Sequence, residues 1–361
     1  MNALLPENGM DLRGIPVDPS APLLVTGATG YVGSWVTKGL LEAGATVHAA
    51  VRDPRNAAKV AHLETAAAGS PGHLRLFAAD LLQEGSYDRA MEGCATVIHT
   101  ASPFSRSVSD PRRELIAPAL EGTRNVLASA GRTSSVGRVV LTSSVAAMYG
   151  DAADVEGYPG RIVTQECWNT TSSLAHEPYS YSKTLAEKEA WRMAESQDRW
   201  RLVTIHPALV IGPALGPSPT SESFSIVRMM IDGSTRVGAP RVGLSVVDVR
   251  EAAQAHIAAA FLPEVHGRYI VAAQDTDMVS LAATLLPRFG RDLPLPRRGL
   301  PRPVLMALAP RIGLTRQYVR RNVGYTVRVD ATRSRRELGI RYRPVQESME
   351  AMVAQMLARR R

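Results

Sequence analysis

Short apolar runs alternate along the first part of the chain with longer segments whose apolar positions recur at helical spacing. Strands are predicted over 22–26, 45–51, 74–79, 96–99, 136–142 and 202–206. Helices are predicted between them, over 31–43, 56–68, 86–91, 112–131 and 178–196. The first closes at Gly44, a residue suited to the turn that follows a helix, and the second breaks at Gly69-Ser70-Pro71-Gly72. Strand followed by helix at this pace requires parallel strands joined by crossover helices. The expected fold class is α/β, a doubly wound parallel sheet with a smaller C-terminal domain.

Beyond Gly212 the pattern loosens. Residues 212–222 are rich in Pro, Gly and Ser and read as a loop. The segment 287–303 holds Pro287, Pro294, Pro296, Pro301 and Pro303, which argues against regular structure. A terminal amphipathic helix is predicted over 345–357, with Met349, Met352, Val353 and Met356 on one packing face. No internal repeat is present. The expected division is a polar leader at 1–20, a sheet domain at 21–206 with a return of 240–272, and a substrate-binding part from 207–239 and 273–361.

Composition narrows the class. With 361 residues and 45% hydrophobic content the chain can bury a sizeable core. The longest apolar candidate, 202–215, is broken by His206, Pro207, Gly212 and Pro213, so no membrane span is expected. The N-terminus lacks the basic and apolar regions of a signal peptide. Cys94 and Cys167 have no metal-ligand spacing and read as packing residues in a reducing, cytoplasmic compartment. The net charge is +8, and arginine is dense between Arg288 and Arg343. Only four of the 42 basic residues are lysine, so this density reflects a chain-wide preference for arginine. With no aromatic interleaving and no nucleic-acid motif, neither nucleic acid nor membrane is an expected partner. A small-molecule substrate and a monomer or homodimer are expected.

The turn after the first strand carries chemistry. Val25-Thr26-Gly27-Ala28-Thr29-Gly30-Tyr31-Val32-Gly33 has GxxGxxG spacing. Gly27 permits a tight turn, Gly30 a close approach of backbone to a pyrophosphate, and Gly33 close packing of helix on sheet. The helix start offers free N–H groups to the anion. This is the context of a Rossmann dinucleotide site. The second strand then ends in Val51-Arg52-Asp53-Pro54. An acid here holds a ribose 2′-OH, whereas cations hold a 2′-phosphate. Arg52 and Lys59 outweigh Asp53, so NADP(H) is expected over NAD(H).

Tyr179-Ser180-Tyr181-Ser182-Lys183 is a Y-x-x-x-K spacing within a predicted helix. Residues i and i+4 share a helix face, so phenol and ammonium can enter one cleft. A free tyrosine titrates near pH ~10, and a nearby ammonium is expected to lower that value and make Tyr179 a workable acid or base. The fifth strand ends in Leu141-Thr142-Ser143-Ser144-Val145, at the edge that faces ligands in this topology. Ser144 is the expected donor to a substrate oxygen, with Ser143 the alternative. His99 and His206 end strands and read as hydrogen-bonded structural residues; Trp168 and Tyr181 line the pocket or simply pack.

These segments resemble the dihydroflavonol reductase-like branch of the extended short-chain dehydrogenases/reductases, in the NAD-dependent epimerase/dehydratase superfamily. The carrying stretches are VTGATGYVGSWV, AAVRDPRNAAKV, AADL, HTASPF, EGTRNVL, VVLTSSVAAM, YSYSKTLAEKEAW, HPALVIGP and SRRELGIRYRP, from about Pro22 to Met352. The resemblance implies that Gly27, Gly30, Tyr31 and Val32 line the pyrophosphate, and that Arg52 and Lys59 take the 2′-phosphate. It places Asp80 and Leu81 beside the adenine and Thr100, Ala101 and Ser102 along the cofactor's middle. Ser144, Tyr179 and Lys183 form the catalytic triad, with Pro207 and Val210 near the nicotinamide. The implied activity is NADPH-dependent reduction of an aldehyde or ketone to the alcohol, reversibly. The Asn-Trp-Tyr signature of cinnamoyl-CoA reductases is replaced by Glu177-Pro178-Tyr179, which argues against a CoA thioester substrate. The insert at 150–160 and the segment 287–303 match nothing in the branch. A hydroxysteroid-type dehydrogenase and a nucleotide-sugar epimerase or dehydratase remain rivals on the same scaffold. A non-catalytic NADP(H)-binding regulator would have no need of the triad.

Overall fold

The computed structural model describes residues 9–102, 110–217 and 221–359. Leader residues 1–8, Pro103 and Phe104 of the HTASPF stretch, and 218–220 of the predicted loop lie outside the described residues. The apolar runs become strands β1 (Leu23–Thr26), β2 (Thr46–Val51), β3 (His73–Ala78), β4 (Thr96–His99), β5 (Arg138–Thr142) and β6 (Arg201–Pro207). Between them run helices α1 (Tyr31–Glu42), α2 (Ala57–Ala68), α3 (Asp88–Met91), α4 (Ala117–Arg132) and α5 (Pro178–Glu195). A π-helical turn, Arg112–Ile116, precedes α4. Pro118 has no N–H to give to the carbonyl four residues back, and the turn before it widens.

Downstream come β7 (Leu209–Ile211), α6 (Glu222–Ile231), β8 (Gly243–Asp248), α7 (Val249–Phe261), β9 (Gly267–Val271) and β10 (Gln274–Asp277). Helices α8 (Met278–Ala283), α9 (Leu286–Phe289), α10 (Arg302–Leu308), α11 (Arg316–Asn322), α12 (Thr332–Glu337) and α13 (Val345–Ala358) complete the chain. The main sheet has seven parallel strands in the order β3-β2-β1-β4-β5-β6-β9. A second sheet, β10-β8-β7, takes β8 out of the segment expected to return to the first sheet. All strands of the main sheet point the same way, so their carboxyl ends form one edge. The strand order reverses at β1/β4, which opens a crevice there.

Two apolar clusters follow this division. The larger joins the main sheet to α1 and α7; the smaller joins α6, α8 and α13, with Met349, Met352 and Val353 fully buried. In the proline-rich segment, Pro287 and Pro303 sit in the first turns of α9 and α10, where a missing N–H costs nothing. The rest of that segment is irregular.

Several C-terminal arginines act as clasps. Arg343 is buried and donates to Glu251 Oε1 at 2.8 Å and Glu347 Oε1 at 3.0 Å. Arg321 donates to Asp151 Oδ2 at 2.5 Å and also reaches Asp154. Asp151 additionally accepts from Asn322 at 2.6 Å and His176 at 2.8 Å, so the unassigned 150–160 insert is pinned to α11. The leader contributes too: Met10, Leu12, Ile15 and Val17 pack against the larger cluster.

Candidate active site

The crevice begins at the turn after β1. Gly27 has φ +66°, and a Cβ there would stand 2.8 Å from Ala101 backbone. Its carbonyl accepts from Gly30 N at 2.8 Å, closing the turn. Gly30 opens α1 with no side-chain cap and no acid in the first turn. The first N–H groups of α1 therefore keep their capacity for an anion. A Cβ on Gly33 would stand 2.3 Å from the Gly27 carbonyl oxygen and 2.6 Å from Thr100 Oγ1. The turn and the loop after β4 are thus packed backbone to backbone. Thr100 Oγ1 donates to Thr26 O at 2.7 Å, and Ala101 N donates to Thr26 Oγ1 at 3.2 Å.

Arg52 follows β2 and Asp80 follows β3, so both lie at the same edge as Gly27. Arg52 and Lys59 are exposed, and among the described residues neither side chain is hydrogen-bonded or ion-paired. Asp53 instead caps its own turn, accepting from Arg55 N at 3.0 Å. Asp80 accepts from Leu82 N at 2.9 Å. Leu81 is held by α4: its carbonyl accepts from Asn125 at 3.0 Å, and its side chain fills the space a Cβ on Gly122 would need.

The structure brings Gly30, Tyr31, Val32, Gly33, Thr100 and Ser102 into one wall of a cleft of about 370 Å³. Ser144, Tyr179, Lys183, Pro207 and Val210 face them across it. Ala101 lines a smaller cavity behind. Gly27, Arg52, Lys59, Asp80 and Leu81 do not line this cleft; they continue along the sheet edge toward β3. Residues the sequence reading missed complete the walls, chiefly Tyr149, Glu222, Leu244 and Ser245. Glu222, the last residue of the predicted 212–222 loop, instead opens helix α6.

Helix α5 carries Tyr179 and Lys183, while Ser144 follows β5. The helix starts with Pro178 after Glu177, whose backbone is left-handed at φ 52°. Lys183 is buried and donates through Nζ to Ser102 Oγ at 3.0 Å, with Nζ 5.9 Å from the Tyr179 ring centre. Burial pushes Lys183 down to about 8, with Glu187 pulling the other way. Tyr179 corrects an expectation. Burial, followed by the charge of Glu222, pushes its phenol up to about 12; its hydrogen bond with Ser144 is the opposing influence. The ammonium does not lower the phenol as expected because its hydrogen bond goes to Ser102 and the phenol is desolvated.

Geometry separates the two serines. Ser143 is buried and donates to Glu187 Oε2 at 2.7 Å. Ser144 is partly exposed, caps the short turn Val145–Ala147, and bonds Tyr179. Both strand-end histidines are structural in their contacts. His99 Nδ1 bonds Thr26 Oγ1 at 2.7 Å, and burial pushes the ring down to about 3, so it is neutral. His206 Nε2 donates to Glu187 Oε2 at 2.8 Å. Trp168 packs under the Arg268 guanidinium, 3.9 Å from the ring centre. Among the described residues no helix is long and apolar enough to cross a membrane.

Comparison with known proteins identifies the family. Residues 23–271 match the model of the NAD dependent epimerase/dehydratase family. The chain is 41% identical over 253 residues to cinnamoyl-CoA reductase CAD2 of Medicago truncatula, covering 68% of this chain and 74% of that one. It is 37% identical over 276 residues to a putative anthocyanidin reductase of Ginkgo biloba, covering 73% and 79%. The structure of Gre2 from Candida albicans in complex with NADPH superposes with a TM-score of 0.77 at 27% identity, covering 94% of this chain and 100% of that one. The chain belongs to the NAD dependent epimerase/dehydratase family, in the dihydroflavonol reductase-like branch of its extended short-chain dehydrogenases/reductases.

Proposed function

We propose that the protein reduces an aldehyde or ketone to the alcohol, reversibly, with NADPH as hydride source and Tyr179 as proton source. The observation that carries this reading is the convergence of Ser144, Tyr179 and Lys183 on the wall opposite the glycine turn. In this reading the uncapped start of α1 holds the pyrophosphate, Arg52 and Lys59 hold the 2′-phosphate, and Asp80 and Leu81 flank the adenine. Residues 21–206 with the return of 240–272 carry the cofactor, and 207–239 with 273–361 supply the substrate part. NADPH, when bound, supplies the hydride. The protein's own residues manage the oxygen. Ser144 Oγ donates a hydrogen bond to the carbonyl oxygen as charge develops on it. Tyr179 is protonated at neutral pH, since its phenol lies near 12, which is the form a reduction needs. It gives its proton to the forming alkoxide, and the Lys183 ammonium stabilises the phenolate left behind.

Relatives whose names specify a ketone, the dihydroflavonol 4-reductase/flavanone 4-reductases, support a carbonyl substrate. A CoA thioester is disfavoured here, because Glu177-Pro178 stands before Tyr179 and Glu222 faces the cleft. The test is NADPH and NADH consumption, side by side, over aldehydes, ketones, diketones and flavonoid-like ketones. NADPH-selective turnover is expected. Tyr179→Phe should abolish nearly all of it while NADPH affinity stays near wild type; normal turnover in that variant would remove the acid role of Tyr179.

A further inference from the structure

We infer that Glu187, a buried carboxylate one helical turn below Lys183, is the counter-charge that positions the Lys183 ammonium. The inference rests on the reductase reading and deepens it.

Glu187 follows Lys183 by four residues on α5, so the two share a face. It is 1% exposed. Its carboxylate accepts from Ser143 Oγ at 2.7 Å, His206 Nε2 at 2.8 Å and Arg268 Nε at 2.7 Å. Trp191 Nε1 at 3.3 Å and Thr204 Oγ1 at 3.4 Å complete the shell. Partners thus come from the end of β5, from α5 itself, from β6 and from β9, which fixes the carboxylate in place. An anion this deep in the protein is sustained only by such a shell.

Lys183 is placed to use that charge. Among the described residues its ammonium hydrogen-bonds Ser102 and forms no ion pair. Lys183 and Glu187 both line an enclosed cavity of about 20 Å³, with His99, Ser102, Thr142 and Ser143. That is room for one water, with polar groups enough to hold it. The groups facing Lys183 are Tyr179 and Glu187 on its own helix, His99 of β4, Ser102 after it, Thr142 and Ser143 at the end of β5, and Thr123 of α4. His99 is neutral, and the Tyr179 phenol is protonated. Glu187 is the one carboxylate lining this cavity. Arg268 offsets part of its charge, and with Glu187 removed Arg268 would leave Lys183 facing only a second cation.

The sign follows. Burial already depresses Lys183, and Glu187 opposes the depression. Neutralising Glu187 lowers Lys183 further, so the ammonium is lost at a lower pH. Since the ammonium stabilises the Tyr179 phenolate, the loss of kcat on the basic side of the pH profile shifts down with it.

Lysine NMR reads this without cofactor or turnover. The chain has four lysines, Lys38, Lys59, Lys183 and Lys188, so ¹³Cε-lysine resonances are few, and Lys183→Arg assigns the relevant one. Glu187→Gln is expected to lower the Lys183 midpoint by about one unit or more, a tenfold drop in its charged-to-neutral ratio. The basic limb of kcat should move by the same amount, with KM for NADPH changing less. Glu187→Asp should restore most of the midpoint. Trp191→Phe, which removes one weak hydrogen bond and no charge, should leave midpoint and profile in place. Arg268→Gln reads the same coupling with opposite sign and raises the midpoint, which keeps the test available if Glu187→Gln does not fold. A folded Glu187→Gln protein, or a folded Arg268→Gln protein, with the Lys183 midpoint unmoved would overturn the inference. If the midpoint moves but wild type reduces no carbonyl with NADPH, the coupling stands and the reductase reading fails.

Discussion

Replacing Gly33 by alanine tests the packing on which the phosphate turn depends. The added methyl would lie 2.3 Å from the Gly27 carbonyl oxygen, where ordinary contact begins at 3.4 Å. The turn must therefore retreat from α1 by about 1 Å. Neither neighbour yields easily. Gly27 O already accepts from Gly30 N at 2.8 Å, and Thr100 Oγ1, the next contact at 2.6 Å, is bonded to Thr26 O. Overpacking of this kind costs about 3 kcal/mol at the upper end, and alanine returns about 1 kcal/mol of helix propensity. The net loss of about 2 kcal/mol corresponds, for a chain of 361 residues, to a Tm lower by roughly 2–3 °C. The same displacement moves the first N–H groups of α1 off the anion, and about 10- to 100-fold of NADPH affinity should go with it. Gly131→Ala is the control: it lies in α4 with nothing within 4 Å of the added Cβ, and should leave affinity unchanged and stability equal or higher. Thermal melting and NADPH fluorescence titration decide the matter. A Gly33→Ala protein matching wild type in Tm and in NADPH affinity would refute the reasoning.

Two further outcomes follow from charges elsewhere. Arg52→Ala removes an exposed cation at the end of β2 and should weaken NADPH by about 10- to 100-fold, with NADH barely affected; equal weakening of both would count against a 2′-phosphate contact. Glu251 has one buried oxygen without a hydrogen-bond partner, and burial, then Asp248, pushes its carboxyl up from 4.5 to about 7. A carboxyl raised on folding favours the folded state most below its unfolded value, so its contribution falls as pH rises from 4.5 toward 7. Glu251→Gln should accordingly gain Tm relative to wild type between about pH 5 and pH 8. A Tm difference that stays constant over that range would contradict the assignment.

The sheet-and-helix half was legible because its strands are flanked by amphipathic helices with clear ends. Helix α7 was not, and the reason is physical. All of it but Phe261 is buried, so the sequence VREAAQAHIAAAF shows no apolar stripe against a polar one. Its polar residues find partners inside, Arg250 with Asp248, Glu251 Oε1 with Arg343 and His256 with Thr142, while Glu251 Oε2 is left without one among the described residues. The choice between Ser143 and Ser144 was open for a similar reason. Glu187, which takes Ser143, is 44 residues away in sequence. Tyr179 and Lys183 could be found from their spacing, but the environment of the phenol could not, because Glu222 reaches it from α6. Arginine density near the C-terminus read as a chain-wide preference for arginine, whereas Arg343 and Arg321 are bonded to acids far back in the chain.

The Arg343 clasp has a consequence for the order in which the molecule is made. Besides Glu251 it donates to Gly9 O at 3.3 Å, across 334 residues of sequence. Its partners in α7 and the leader leave the ribosome long before it does. Until then Asp248 and Glu251 carry one cation fewer, and the alanine-rich helix between the two sheets waits for the last side chain that locks it. Nascent chains paused before residue 343 should therefore be the ones that chaperones hold and proteases cut, even though the nucleotide half has already been synthesised.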